Sequence, residues 1–191
     1  MRKILIDVGA HTGNNINKFL KSDYYSQDFE IFAFECNEGL IKRFKTDCPV
    51  TLIEKAAWTY DGEIKFFIGN PLSSSILIEK KTGNLKEKNF KIVDCVDLSI
   101  WIKNNFSQDD FIILLMDVEG AEYDIIDKME LDGTLSYIND FYLEFHGDKL
   151  RGFNICRQND MMDMLIKKFD KNVFIERHYQ HDGFKRLNDE T

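Results

Sequence analysis

Short apolar runs alternate along the chain with stretches whose apolar positions fall at helical intervals. Lys3 to Val8 is almost wholly apolar and reads as a buried strand. In Asn14 to Lys21 the apolar side chains Ile16, Phe19 and Leu20 share one helical face. The alternation continues with a strand over Glu30 to Phe34, a helix from about Glu38 to Thr46, and a strand over Val50 to Ala57. Glu63 to Ile68 and Lys91 to Val96 alternate polar and apolar residues, as strands or extended excursions do. Asp97 to Asn104 predicts a short helix, with the Asp97 carboxylate placed to cap its first N–H groups. Phe111 to Met116 is continuously apolar, the mark of a central parallel strand covered on both faces. A helix over Ala121 to Met129, a strand over Phe141 to Phe145, a helix over Asp160 to Phe169 and a strand over Val173 to Tyr179 complete the pattern.

Strand–helix alternation at this spacing predicts an α/β fold: a doubly wound, mostly parallel sheet. The 191 residues suit one domain spanning 1–191. The least regular stretch, Asn70 to Lys88 within 70–90, holds turn residues, a serine cluster and a charge run. It reads as a mobile loop over the sheet and the active site, with the charged residues on a solvated face.

Composition narrows the function. A hydrophobic fraction of 43% with 16 Phe indicates a packed globule, and a net charge of −8 disfavours nucleic acid and anionic membranes as partners. Cys36, Cys48, Cys95 and Cys156 are scattered, without zinc-site spacing, and read as reduced thiols of a cytoplasmic protein. The chain enters a strand at once, which suggests no secretory leader, and its longest apolar run is too short to span a bilayer.

The stretch "ILIDVGAHTGNN" is the first candidate site. In a doubly wound sheet, ligands bind beyond the carboxyl ends of the strands. Gly9 permits a tight turn there, Gly13 lets the next helix start close to a ligand, and Asp7 can accept from a ligand ammonium or hydroxyl. The dinucleotide fingerprint requires a middle glycine where this chain has His11, whose Cβ obstructs a pyrophosphate. Glu35 ends the second strand, where an acid can take both hydroxyls of a ribose. A nucleoside with a small anionic group fits these features, and S-adenosylmethionine has that composition.

The segments "IDVGAHTGNN", "FAFECN", "KAAWTYDGEIKFF", "MDVEGAEYDII" and "YLEFHG" together resemble the FkbM family of S-adenosylmethionine-dependent methyltransferases. The resemblance runs from about Ile4 to Gly147 and is most specific in "DVEGAE". It implies a class I, Rossmann-like methyltransferase fold and methyl transfer, usually to a hydroxyl oxygen of a small molecule or glycan. It also implies that Asp7, Gly9, Ala10, His11 and Gly13 surround the methionine end of the cofactor and that Glu35 holds the ribose. Cys36 stands where many relatives carry proline, and Lys55, Ala56 and Ala57 would lie near the adenine.

A second cluster follows the later strands. Asp117 and Glu119 sit two apart, as do Glu144 and His146, so strand alternation puts each pair on one face. If the two strands are neighbours, these groups converge where a methyl acceptor would bind. His146 has the intrinsic pKa of a base near neutrality, with a carboxylate such as Asp117 or Glu144 to orient it. A divalent metal held by Asp117, Glu144 and His146 is the lesser reading. Glu122 reads as a first-turn acid complementing the helix dipole, Trp58 and Trp101 as core aromatics, and Ser73 to Ser75 as loop. His178 and His181 read as a polar strand end and turn. Two rivals stay open: a nicotinamide-dependent oxidoreductase on the same fold, and a cofactor-binding but inactive partner subunit.

Overall fold

The computed structural model describes residues 1–69 and 74–176. Among the described residues, nine strands and five α-helices follow one another. They are β1 (Lys3–Val8), α1 (Asn14–Phe19), β2 (Phe29–Phe34), α2 (Glu38–Ile41), β3 (Thr51–Ile53), β4 (Ala56–Trp58), β5 (Gly62–Phe67) and β6 (Phe90–Asp97). Then come α3 (Leu98–Asn105), β7 (Phe111–Met116), α4 (Glu122–Leu131), β8 (Asp140–Glu144), α5 (Ile155–Phe169) and β9 (Val173–Glu176).

Six strands form one parallel sheet in the order β3-β2-β1-β7-β8-β9. The chain winds outward from β1 through β2 to β3, then resumes on the other side of β1 with β7, β8 and β9. The strand order therefore reverses between β1 and β7, and their carboxyl ends open the crevice in which such sheets bind ligands. The all-apolar β7 pairs with both β1 and β8, which accounts for its lack of a polar face.

Alternation along the strands divides the core in two. Ile4, Ile6, Val8, Ile112, Leu114 and Met116 face α3, α4 and α5. Leu5, Ile31, Ala33, Ile113 and Leu115 face the other way, toward Ile16 and Phe19 of α1. Trp101 lies in the larger core edge-on to Phe32, Phe34 and Phe106, and Trp58 is packed against that core. Asp97 caps α3 as expected, accepting the Ile100 N–H at 3.0 Å.

The stretch Val50 to Ala57 is not one strand. β3 ends at Ile53, and β4 joins a separate three-stranded sheet in the order β4-β6-β5, parallel to β6, while β5 is antiparallel to it. Lys55 donates its N–H to the Ile53 carbonyl at 2.8 Å, a turn that takes the chain out of the first sheet. The second helix stops at Ile41, well short of Thr46, and α5 starts at Ile155, where Asn154 caps it by accepting from Cys156 N–H. The last strand is described as far as Glu176, so the remainder of the expected strand lies outside the described residues, as do His178, His181 and Ser73. All four cysteines are free thiols. Among the described residues, no helix is long and apolar enough to cross a membrane.

Gly9 anchors the junction of β1 and β7. Its φ is +88°, and a Cβ there would lie 1.9 Å from the Asp117 carbonyl oxygen. Gly133 has a similar φ of +74° but nothing within 4 Å of the same position. Gly133→Ala should therefore cost only the left-handed backbone penalty of roughly 1–2 kcal/mol. Gly9→Ala should cost about 3 kcal/mol or more, because backbone must also move. Thermal melts of the two variants, run side by side, check the difference.

Candidate active site

The crevice at the carboxyl ends of β1, β2 and β7 opens into a cavity of about 390 Å³. That volume lies in the range of small-molecule sites. The turn after β1 is stitched to the end of β2, since Gly9 and Ala10 both donate N–H to the Phe34 carbonyl at 3.0 Å. The turn after β7 is tied to β1 by Asp117 N–H donating to the Val8 carbonyl at 2.9 Å. Two turns held this closely bring the first expected cluster and the second to one cavity.

Gly9, Ala10, His11, Glu35, Cys36 and Ala56 line that cavity, together with Lys55 and Ala57. Asp7 and Gly13 do not line it. Gly13 instead packs its left-handed turn (φ +88°) against the backbone of Lys45 and the methyl of Thr46. His11 also has positive φ, at 53°, and burial lowers its pKa, with Arg43 adding to the effect. Burial pushes the Cys36 thiol up, so it stays protonated.

Glu35 is a buried carboxylate with two backbone partners. Oε2 accepts the His11 N–H at 2.9 Å and Oε1 accepts the Asn37 N–H at 2.7 Å. Burial raises its pKa, and these N–H groups act against that rise. It therefore ties the turn after β1 to the segment after β2 as well as facing the cavity. Each oxygen keeps acceptor capacity for a further donor.

Asp7 is 1% exposed, and neither of its carboxylate oxygens has a hydrogen-bond partner among the described residues. Burial, then the charges of Asp117 and Glu35, push its pKa up to about 8. A buried acid without donors is more stable neutral.

The second cluster is assembled as β7 and β8 pair. Asp117, Glu119 and Glu144 line the cavity, and His146 lies against them, 1% exposed. The His146 Nε2 is 3.5 Å from Asp117, 3.6 Å from Glu119 and 3.4 Å from Glu144, while Nδ1 is 3.4 Å from Glu122. Both ring nitrogens thus face carboxylates. Burial alone would lower its pKa, but Glu122, Glu144 and Asp117 outweigh burial and raise it to about 10. Asp117 also moves up, out of the ordinary carboxylate range. Burial raises its pKa to about 7, aided by the neighbouring acids and opposed by His146.

Two participants were not foreseen. Glu122 is more than a dipole partner: it is fully buried and accepts the N–H groups of Gly120 at 2.8 Å and His146 at 2.7 Å. Its position in "DVEGAE", one residue inside α4, was the only signal in the sequence. Lys80 comes from the charge run expected to be solvated, yet its side chain is 1% exposed and its ammonium is 2.5 Å from Glu119 Oε2. Nothing in "IEKKTG" distinguishes Lys80 from its exposed neighbour Lys81. Ser75, from the same stretch, is buried and donates its hydroxyl to the Glu119 carbonyl at 3.0 Å. Asp117, Glu119 and His146 bring donor atoms within 4.8 Å of one another, close enough to share one cation.

The fold is a mostly parallel α/β sheet of the Rossmann-like methyltransferase kind, and the comparison with known families agrees. The chain belongs to the FkbM methyltransferase family: the methyltransferase FkbM domain matches residues 7–190, nearly the whole chain. No curated protein and no solved structure matched it. Membership makes it a methyltransferase by family and favours that reading over a nicotinamide-dependent oxidoreductase on the same fold.

The state of Asp7 sets a pH dependence. With a folded pKa near 8, the native chain holds a proton that the unfolded chain has released above about pH 4. Stability contributed by this group is therefore full below that value and declines as pH rises to about 8. Asp7→Asn mimics the protonated acid. It should leave the melting temperature near that of the wild type at about pH 4 and raise it at about pH 8.5. Calorimetry at the two pH values checks this, and an equal effect at both would contradict it.

Proposed function

We propose that the chain is an S-adenosylmethionine-dependent O-methyltransferase acting on a hydroxyl of a small molecule or glycan. The observation that carries this reading is Glu35, a buried acceptor on the cavity wall beside a turn free of side chain at Gly9. Such an acid suits the adjacent hydroxyls of a ribose. Asp7, buried at the end of β1 and driven toward its neutral form, offers a hydrogen-bonding group behind the Gly9 turn, and Ala10, His11, Gly13, Cys36 and Ala56 shape the same end of the site. When bound, the cofactor supplies a methyl group on a positively charged sulfur.

For methyl transfer the chain must align the acceptor oxygen and remove its proton. Asp117 suits the second task in place of His146. It lines the cavity, and its pKa of about 7 is near that of an effective base at neutral pH. His146, held as an imidazolium by four carboxylates, keeps its proton. Its charge holds Asp117 and Glu144 in place and keeps the Asp117 carboxyl from rising further. In this reading Asp117 accepts the hydroxyl proton, Glu144 helps to orient the acceptor, and His146 is their positioning cation.

Calorimetric titration tests the cofactor. S-adenosylmethionine and S-adenosylhomocysteine should bind, and NAD should not. Glu35→Ala should weaken binding by roughly 1.5–3 kcal/mol through lost charge-assisted bonds. It should also lower the melting temperature, because two backbone N–H groups lose their acceptor. Unchanged affinity would remove Glu35 from the cofactor site.

With an acceptor in hand, pH profiles separate the two candidate bases. The wild-type rate should rise through about pH 7. Asp117→Asn should lose that limb and roughly 10²–10⁴-fold in turnover. His146→Gln should keep the limb and move it to higher pH, since the imidazolium lowers the Asp117 pKa. Loss of the limb in His146→Gln, with retention in Asp117→Asn, would make His146 the base. Absence of turnover on every class of hydroxyl acceptor, with cofactor bound, would favour the inactive-subunit reading.

A further inference from the structure

Lys80 takes no part in the proton transfer above, yet its burial is among the most costly in the molecule. A lysine ammonium leaves water only where its charge is answered. Lys80 Nζ is 2.5 Å from Glu119 Oε2, the oxygen that also faces His146 Nε2 at 3.6 Å. One carboxylate oxygen is thus shared by two buried cations, Lys80 and His146. Asp117, Glu122 and Glu144 also face His146, with Lys149 at the edge, 3.9 Å from Glu144. Two buried cations face four carboxylates, so the pocket already carries an excess of acid and losing either cation would leave it more negative still.

The backbone holds Lys80 in this place from several directions. Lys81 N–H donates to the Lys149 carbonyl at 2.6 Å, and Arg151 N–H donates to the Glu79 carbonyl at 2.9 Å. These bonds pair the lysine's stretch with the chain just after His146. Ser75 bonds to the Glu119 carbonyl, and Leu77 packs where a side chain on Gly120 would otherwise lie. Glu119 itself has a left-handed backbone, with φ of 57°, a conformation that needs such support.

We propose that Lys80 is the resident cation of the acidic site: tethered to the chain, it stands where a divalent ion would otherwise balance Asp117, Glu119 and Glu144, and it positions Glu119. The oxygens that gather here are hard ligands of the kind that take Mg²⁺ or Mn²⁺. A covalently attached ammonium answers the same field without metal. Lys80 is a positioning residue, and the assignment holds whichever acceptor the enzyme uses.

Divalent cation binding, read by melting temperature and by the electron paramagnetic resonance signal of free Mn²⁺, tests this without an acceptor. At about 1 mM MnCl₂ the wild type should show no change, whereas Lys80→Met should gain roughly 3 °C or more and deplete the free-Mn²⁺ signal. Lys80→Arg keeps the charge and should behave as the wild type. A clear Mn²⁺ response in the wild type, or one in Lys80→Arg equal to that of Lys80→Met, would overturn the proposal. So would the absence of any response in folded Lys80→Met. If Lys80→Met does not fold alone, refolding with and without MnCl₂ decides: recovery only with the ion supports a missing cation, and failure in both overturns it.

Discussion

The approach of the turn after β1 to the turn after β7 is the constraint on which the site depends. Only a glycine at position 9 lets those two backbones come so close. Once they do, the parallel register carries Asp7 and Asp117 to the same end of the sheet. The acid-bearing ends of β2 and β8 follow, because each pairs with a strand already fixed. The cavity is therefore a result of strand order, and its chemistry depends on which side chains the sequence puts at four strand ends.

The gathering of acids has an electrostatic logic. Carboxylates crowded together out of water must bind protons, meet cations or receive N–H groups. This chain uses all three answers. Asp7 is driven toward the protonated form, His146 and Lys80 supply charge, and Glu35 and Glu122 are each held by two backbone donors. The pKa values of Asp7, Asp117 and His146 all rise above their ordinary ranges, those of the two acids chiefly through burial and that of His146 through its acidic neighbours.

Much of this was legible in the chain. The strands from Lys3, Glu30 and Phe111 fall where their apolar runs put them, and Asp97 caps its helix. Gly9, Glu35, Asp117 and Glu144 could be picked out because strand ends are marked by the change from apolar to polar residues. Periodicity could not show that Val50 to Ala57 is shared between two sheets, since a strand of either sheet needs the same residue types. Nor could it show that Lys80 is buried. That depends on pairing with residues nearly seventy positions away, which leaves no local pattern. The protonation of His146 was hidden for a related reason: three of its four acidic neighbours come from 117–122, a stretch that meets His146 only when β7 and β8 pair.

The transfer of the chain from β3 to β4 has a mechanical consequence. Lys55 and Ala56, at that crossing, form part of the cavity wall. One side of the wall thus belongs to the six-stranded sheet, and the other begins a sheet with hydrogen bonds of its own. The small sheet is tied back to the larger one where β6 runs directly into α3, and Ala57 and Leu98 at these junctions are buried in the core of the larger sheet. The cavity's dimensions therefore depend on side-chain packing between the two sheets as well as on the ladders within each.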